Sequence, residues 1–171
     1  AAGADLFGTP DNRGEHGTHV ASTILAYAPQ ATIINIKVLD EEAAKDIPPE
    51  LMHDLPMTLS TISNGLKHVY DHNKAVAEGK DTGKKIDIVS MSLGVPGSNT
   101  SSLEAANLDQ ISSWVKKLDR QGVIVVIAAG NDSTRNMGRP GFVPEAVTVG
   151  AVDYFNRITS FSGDQTVMDL K

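Results

Sequence analysis

Apolar positions in this chain gather into four short runs, Ile33 to Leu39, Ile86 to Met91, Val123 to Ala129 and Val147 to Val152. Each is rich in β-branched residues and bounded by polar or glycine-containing segments, the composition of a strand. Because the runs are nearly continuous rather than alternating, both faces of the sheet are expected to be buried, as in parallel strands covered by helices. Helical periodicity lies between them. From Leu59 to Ala77, residues Ile62, Leu66, Val69, Tyr70 and Asn73 fall on related faces, and from Leu103 to Leu118, residues Leu108, Ile111, Val115 and Leu118 recur at three- and four-residue steps. Strand, helix, strand, helix, strand, loop and strand predict an α/β chain with a doubly wound parallel sheet, whose ligands gather at the carboxyl ends of the strands. Two segments interrupt the plan. Glu41 to Met57 is acidic and holds Pro48, Pro49 and Pro56, and Glu78 to Lys85 reads EGKDTGKK; both predict solvated surface connections.

With 171 residues, 40% hydrophobic and 21% charged, the chain has the makings of one globular domain over residues 1–171. No apolar run approaches the ~20 residues that span a bilayer, and Ala1-Ala2-Gly3-Ala4-Asp5 has neither the basic nor the apolar region of a signal peptide. No membrane partner is expected. Fifteen Lys+Arg against 21 Asp+Glu give a formal charge of −6, the wrong sign for a phosphate-binding surface, so nucleic acid is not expected as a partner either. The absence of cysteine excludes a disulfide framework, a thiol nucleophile and a Cys-ligated zinc site, and leaves the compartment open.

Three segments carry candidate chemistry. Gly14-Glu15-His16-Gly17-Thr18-His19-Val20-Ala21-Ser22 leads into Val20, Ile24 and Leu25 and predicts a helix N-terminus. A histidine in such a first turn can face a cleft and act as a general base near neutral pH. The pair His16 and His19 could also bind a metal, but no His-Glu-x-x-His arrangement accompanies it; alone it reads most simply as a solvated or core histidine pair. The second segment, Val123 to Asp132, is a buried strand ending in Ala128, Ala129 and Gly130 and followed by Asn131. Asn131 could present a neutral amide donor where negative charge develops on a carbonyl oxygen, or Gly-Asn-Asp could be an ordinary turn. The third, Ile86 to Gly94, runs out into Ser92, Leu93 and Gly94, whose backbone could pair with an extended peptide or simply close a strand.

The blocks HGTHVAS, KVL, IDIVSMSLG, VIVVIAAGND and RPGFVPEAVTVGAVDYFNRITSFS, in that order and nearly end to end, resemble the central portion of the subtilisin-like serine proteases, the subtilase family. The resemblance implies that His16 is the catalytic base and Asn131 the oxyanion donor. It implies that Ser92, Leu93 and Gly94 bind substrate backbone, and that Ala129 and Gly130 line the pocket for the residue before the scissile bond. Pro140-Gly141 and Val147 to Asp153 match the family's next loop and strand. A peptide or protein substrate and a secreted or extracellular setting follow from the same likeness. No cofactor is expected. Family members often carry calcium between the histidine helix and the next strand, but Val20 to Ile33 contains no Asp or Glu, so no metal site is expected in this chain and any calcium belongs to the full domain.

Departures from the family pattern shape the expectation further. The family order is Asp, His, Ser, with the serine in a Gly-Thr-Ser-type turn. The 15 residues before His16 hold Asp5 and Asp11 in polar loop sequence, and Gly-Thr-Ser occurs nowhere. The chain therefore reads as an internal fragment of a subtilase catalytic domain, incomplete at both ends. As part of a serine endopeptidase it carries the histidine and oxyanion asparagine without the aspartate or serine, is inactive alone, and has the remaining part of the catalytic domain as a partner. Substitutes within the chain are poor. Asp81-Thr82-Gly83 follows Glu78-Gly79-Lys80 rather than an apolar strand and reads as a hydrophilic turn, and Ser90-Met91-Ser92-Leu93-Gly94 lacks the first glycine of a nucleophile elbow. Ser22 replaces the glycine usual after His-Val-Ala. Two alternatives stand beside the enzyme: a non-catalytic subtilase-like peptide-binding module, and an elbow-type esterase using Ser92. Retention of His16 together with Asn131 favours the protease.

Overall fold

The computed structural model describes residues 15–38, 56–94, 102–131, 140–141 and 143–163. Asp5 and Asp11 lie outside these residues. The chain forms two compact units, Ala1–Asp40 and Glu41–Lys171.

In the first unit, α1 spans Glu15–Tyr27, so the glycine-flanked histidine does open a helix. The hydroxyls of Ser22 and Thr23 turn back on the helix and donate to the carbonyl of His19 at 2.8 and 2.9 Å. Ala28 closes the last turn by donating to the Ile24 carbonyl at 2.8 Å, immediately before Pro29, which disfavours helical geometry in the residue it follows. The strand expected from Ile33 to Leu39 does not form. Residues 31–38 are without regular structure, and Leu39 lies outside the described residues. β-branched side chains suit a pleated surface, but a strand exists only through pairing, and the described part of this unit offers no second strand.

In the second unit the order is α2 (Pro56–Ala77), β1 (Ile88–Met91), α3 (Ser102–Arg120), β2 (Ile124–Ala128) and β3 (Val147–Val149). Proline opens α2, where its missing N–H costs nothing. α3 ends in a closed cap, with Val123 donating to the Leu118 carbonyl at 3.0 Å and Gly122 to that of Asp119 at 2.8 Å. Gly122 takes a φ of 77°, the left-handed turn such a cap requires. The helices pack on each other and α3 packs on β2. Of the positions that the periodicity marked, Ile62, Leu66, Val69 and Asn73 of α2 and Leu108, Ile111, Val115 and Leu118 of α3 are buried and Tyr70 is half-buried; Leu59 joins them in the core. Each buried aliphatic side chain contributes about 1.5–3 kcal/mol relative to exposure. A polar and an aromatic contact cross the same interface: Ser63 Oγ donates to Gln110 Oε1 at 2.9 Å, and the Tyr70 and Trp114 rings lie 5.6 Å apart.

The sheet is parallel throughout, in the order β1-β2-β3. Ile88 pairs with Ile124, Met91 with Ile127, and Ala128 with Val149. Side chains alternate between faces, so Met91, Val125 and Ile127 share the buried face. The other face differs from the expectation of burial on both sides. Ile88, Ile124, Val147 and Val149 are 59, 53, 52 and 51% exposed. Continuous apolar runs code for cover on both faces; among the described residues, the core collects on one.

Candidate functional site

Six of the candidate residues stand along one edge of the second unit. β2 runs on beyond Ala128 by one more rung, because Ala129 donates its N–H to the Val149 carbonyl at 2.9 Å. Ala129 is buried, and the chain then turns at Gly130, whose φ of 92° lies in the region that favours glycine. The turn delivers Asn131 to an exposed position just past the end of the strand. β1 and β2 are parallel with Met91 beside Ile127, so Ser92, Leu93 and Gly94 leave the same carboxyl edge next to Ala128, Ala129 and Gly130. Leu93 is half-buried, while Ser92 and Gly94 are exposed. The topology thus brings Ser92 to Gly94 and Ala129 to Asn131 together at the edge where α/β sheets bind ligands.

His16 belongs to the first unit, as the second residue of α1, with its side chain exposed. It occupies the first helical turn, as the glycine-rich lead-in predicts. His19, one turn on, is also exposed. Among the described residues no group of three or more His, Cys, Asp or Glu side chains could hold a metal ion.

The competing candidates have structural roles. Asp81 accepts the N–H of Gly83 at 2.7 Å, closing a local turn. Its other oxygen lies 3.4 Å from His72 Nδ1, while His72 Nε2 donates to the Lys84 carbonyl at 2.8 Å. Asp81 is therefore the turn residue that its hydrophilic neighbours predict. Ser90 sits within β1 itself, on the open face.

The sequence reading missed residues 150–163 as a support for this edge. Val152 and Ile158 form an antiparallel bridge around a tight loop. Within it Asp153 accepts the amides of Phe155 and Arg157 at 2.8 and 3.0 Å and the Arg157 Nε at 2.9 Å. The Arg157 side chain, aided by those amides, holds the Asp153 carboxyl below the usual carboxylate value. The loop returns to the edge through Ser162, whose buried Oγ accepts the Ala151 N–H at 2.9 Å, and through Gly163, which donates its N–H to the Gly130 carbonyl at 3.0 Å. Only the small residues at 162 and 163 hinted at a close approach, and nothing local says to what.

An amide donor beyond a strand, next to an exposed strand end, can hold an extended peptide and stabilise charge on one of its carbonyl oxygens. Comparison with known proteins identifies the family. The subtilase family profile matches residues 4–171. Subtilisin E of Bacillus subtilis (strain 168) is 30% identical over 168 residues, covering 91% of this chain and 35% of its own length. An intracellular serine protease of Paenibacillus polymyxa is 28% identical over 169 residues, covering 91% of this chain and 42% of its own. The chain thus spans well under two thirds of the relatives it matches. A lanthipeptide protease shares the fold, with a TM-score of 0.63 at 20% identity over 92% of this chain and 41% of that one.

Proposed function

The chain belongs to the subtilase family, and from that premise we propose that it supplies the histidine base and the oxyanion donor of a serine endopeptidase. In this reading His16 takes the proton of a serine contributed from outside these 171 residues, and an aspartate from outside orients its ring. The scissile peptide lies extended along Ser92, Leu93 and Gly94. Its carbonyl oxygen moves toward the Asn131 amide as the tetrahedral intermediate forms, and Ala129 and Gly130 line the pocket for the residue before the scissile bond.

The observation that carries the reading is the exposed placement of Asn131 after the Gly130 turn, on the same carboxyl edge as Ser92 to Gly94. A neutral donor carried there by the Gly130 turn stands where an oxyanion would form. The substrate is a peptide or protein, and the setting is the secreted one that the family likeness implies, although an intracellular serine protease stands among the relatives.

The test uses these 171 residues joined to segments that supply the aspartate and serine. A fluorophosphonate probe should label that serine and block peptide hydrolysis, and His16→Ala should suppress both. Binding of peptide without labelling or hydrolysis would instead favour a non-catalytic peptide-binding module. Labelling at Ser92 would mean an elbow-type esterase.

A further inference from the structure

We propose that Ser162 and Gly163 are positioning residues for Asn131, acting through the peptide group that joins Gly130 to Asn131; the inference rests on the oxyanion role given to Asn131 above.

The β2 ladder ends at the bond from Ala129 N–H to the Val149 carbonyl. Past that rung the chain turns at Gly130 with a φ of 92°, and a residue free to adopt such a turn is also free to leave it. The bond from Gly163 N–H to the Gly130 carbonyl, at 3.0 Å, opposes that freedom. A peptide group is planar, so holding the Gly130 carbonyl also sets the direction in which the Asn131 backbone departs.

The approach that makes this bond leaves no room for a side chain at 163. A Cβ there would overlap the Ala129 carbonyl oxygen and stand 2.9 Å from its carbonyl carbon. Ser162 secures the other end. Its buried hydroxyl accepts the Ala151 N–H at 2.9 Å and donates to the Gly163 carbonyl at 3.2 Å, while its own N–H donates to the Thr159 carbonyl at 3.1 Å. Ala151 follows β3 by one residue beyond Gly150, so the path from the sheet to Asn131 runs Ala151, Ser162, Gly163, Gly130. Ser162 and Gly163 are both buried, so neither is placed to touch a substrate; what they control is where Asn131 points.

A double-mutant cycle in the complete enzyme tests this. Ser162→Ala should lower kcat by about tenfold and leave KM within about twofold, since a displacement of around 1 Å in a catalytic group can cost about 10²-fold and a partial one correspondingly less. The loss should disappear when residue 131 is already alanine, because a misplaced donor and a missing one are equivalent. Gly163→Ala should behave the same way and more severely; if it does not fold, Ser162→Ala decides alone. If Asn131→Ala lowers kcat but the Ser162→Ala loss is absent, or carries over in full to the double variant, the positioning role is overturned and the role of Asn131 stands. If Asn131→Ala leaves kcat unchanged, the oxyanion reading fails and takes this inference with it.

Discussion

Asn73, in α2, holds Ile86 by both of its backbone groups: the side-chain amide donates to the Ile86 carbonyl at 2.8 Å and the side-chain oxygen accepts the Ile86 N–H at 2.8 Å. Asn73 is 1% exposed, and Ile86 stands two residues before β1. One side chain thus stands in for a strand partner and fixes where the chain enters the sheet, upstream of the segment assigned to substrate backbone.

Asn73→Ala should destabilise the second unit by about 1–3 kcal/mol, because it leaves two partly buried backbone groups without partners. Asn73→Asp should not rescue it, since a carboxylate can accept the Ile86 N–H but cannot donate to the Ile86 carbonyl. Urea denaturation of the three proteins checks this. A wild-type midpoint in either variant would show that water serves as well as the amide.

The loop held by Asp153 should be insensitive to pH above the ordinary carboxylate value of 3.8 and should loosen as the pH falls through the lower value that Asp153 takes in the fold. The sign follows from preferential stabilisation of the ionised form: its contribution is present above the unfolded pKa and is lost on protonation. The amide resonances of Phe155 and Arg157 report it directly. Asp153→Asn should remove the acid transition; its persistence in that variant would assign the transition to another group.

The open sheet face carries Ile88, Ile124, Val147 and Val149, each more than half exposed. Apolar surface is worth about 25 cal/mol per Å² on burial, so the 171-residue chain on its own should self-associate or bind a hydrophobic dye. Ile124→Lys with Val149→Lys should reverse this in sedimentation velocity. A dye-negative monomer at all concentrations would contradict it.

The 171-residue chain alone should not turn over a peptide ester at the level of a complete subtilase, for want of a serine in a Gly-Thr-Ser turn. Full turnover would place the nucleophile within this chain.

The elements of the second unit were legible because each signal is local: α2 and α3 through the stripes at Ile62, Leu66, Val69 and Ile111, Val115, Leu118, and β1 and β2 through their aliphatic runs. The ends of those runs also marked Asn131 and Ser92 to Gly94. The segment from Ile33 to Val38 shows where local signals stop, since its composition is that of a strand and pairing is what makes one. The support from Ser162 and Gly163 was illegible for the same reason: a hydrogen bond from Gly163 to Gly130 joins residues that only the folded chain makes neighbours.

The kinetics of Asn131→Ala in the complete enzyme bear most directly on the protease reading. The amide meets the substrate oxygen only after that oxygen has moved to its tetrahedral position, so its hydrogen bond belongs to the transition state. The expected result is a fall in kcat of roughly 10²–10³ with KM nearly unchanged, the size that loss of an oxyanion-hole asparagine has in subtilisin. A variant that raised KM and left kcat alone would make Asn131 a substrate-binding residue and contradict its assignment as the oxyanion donor.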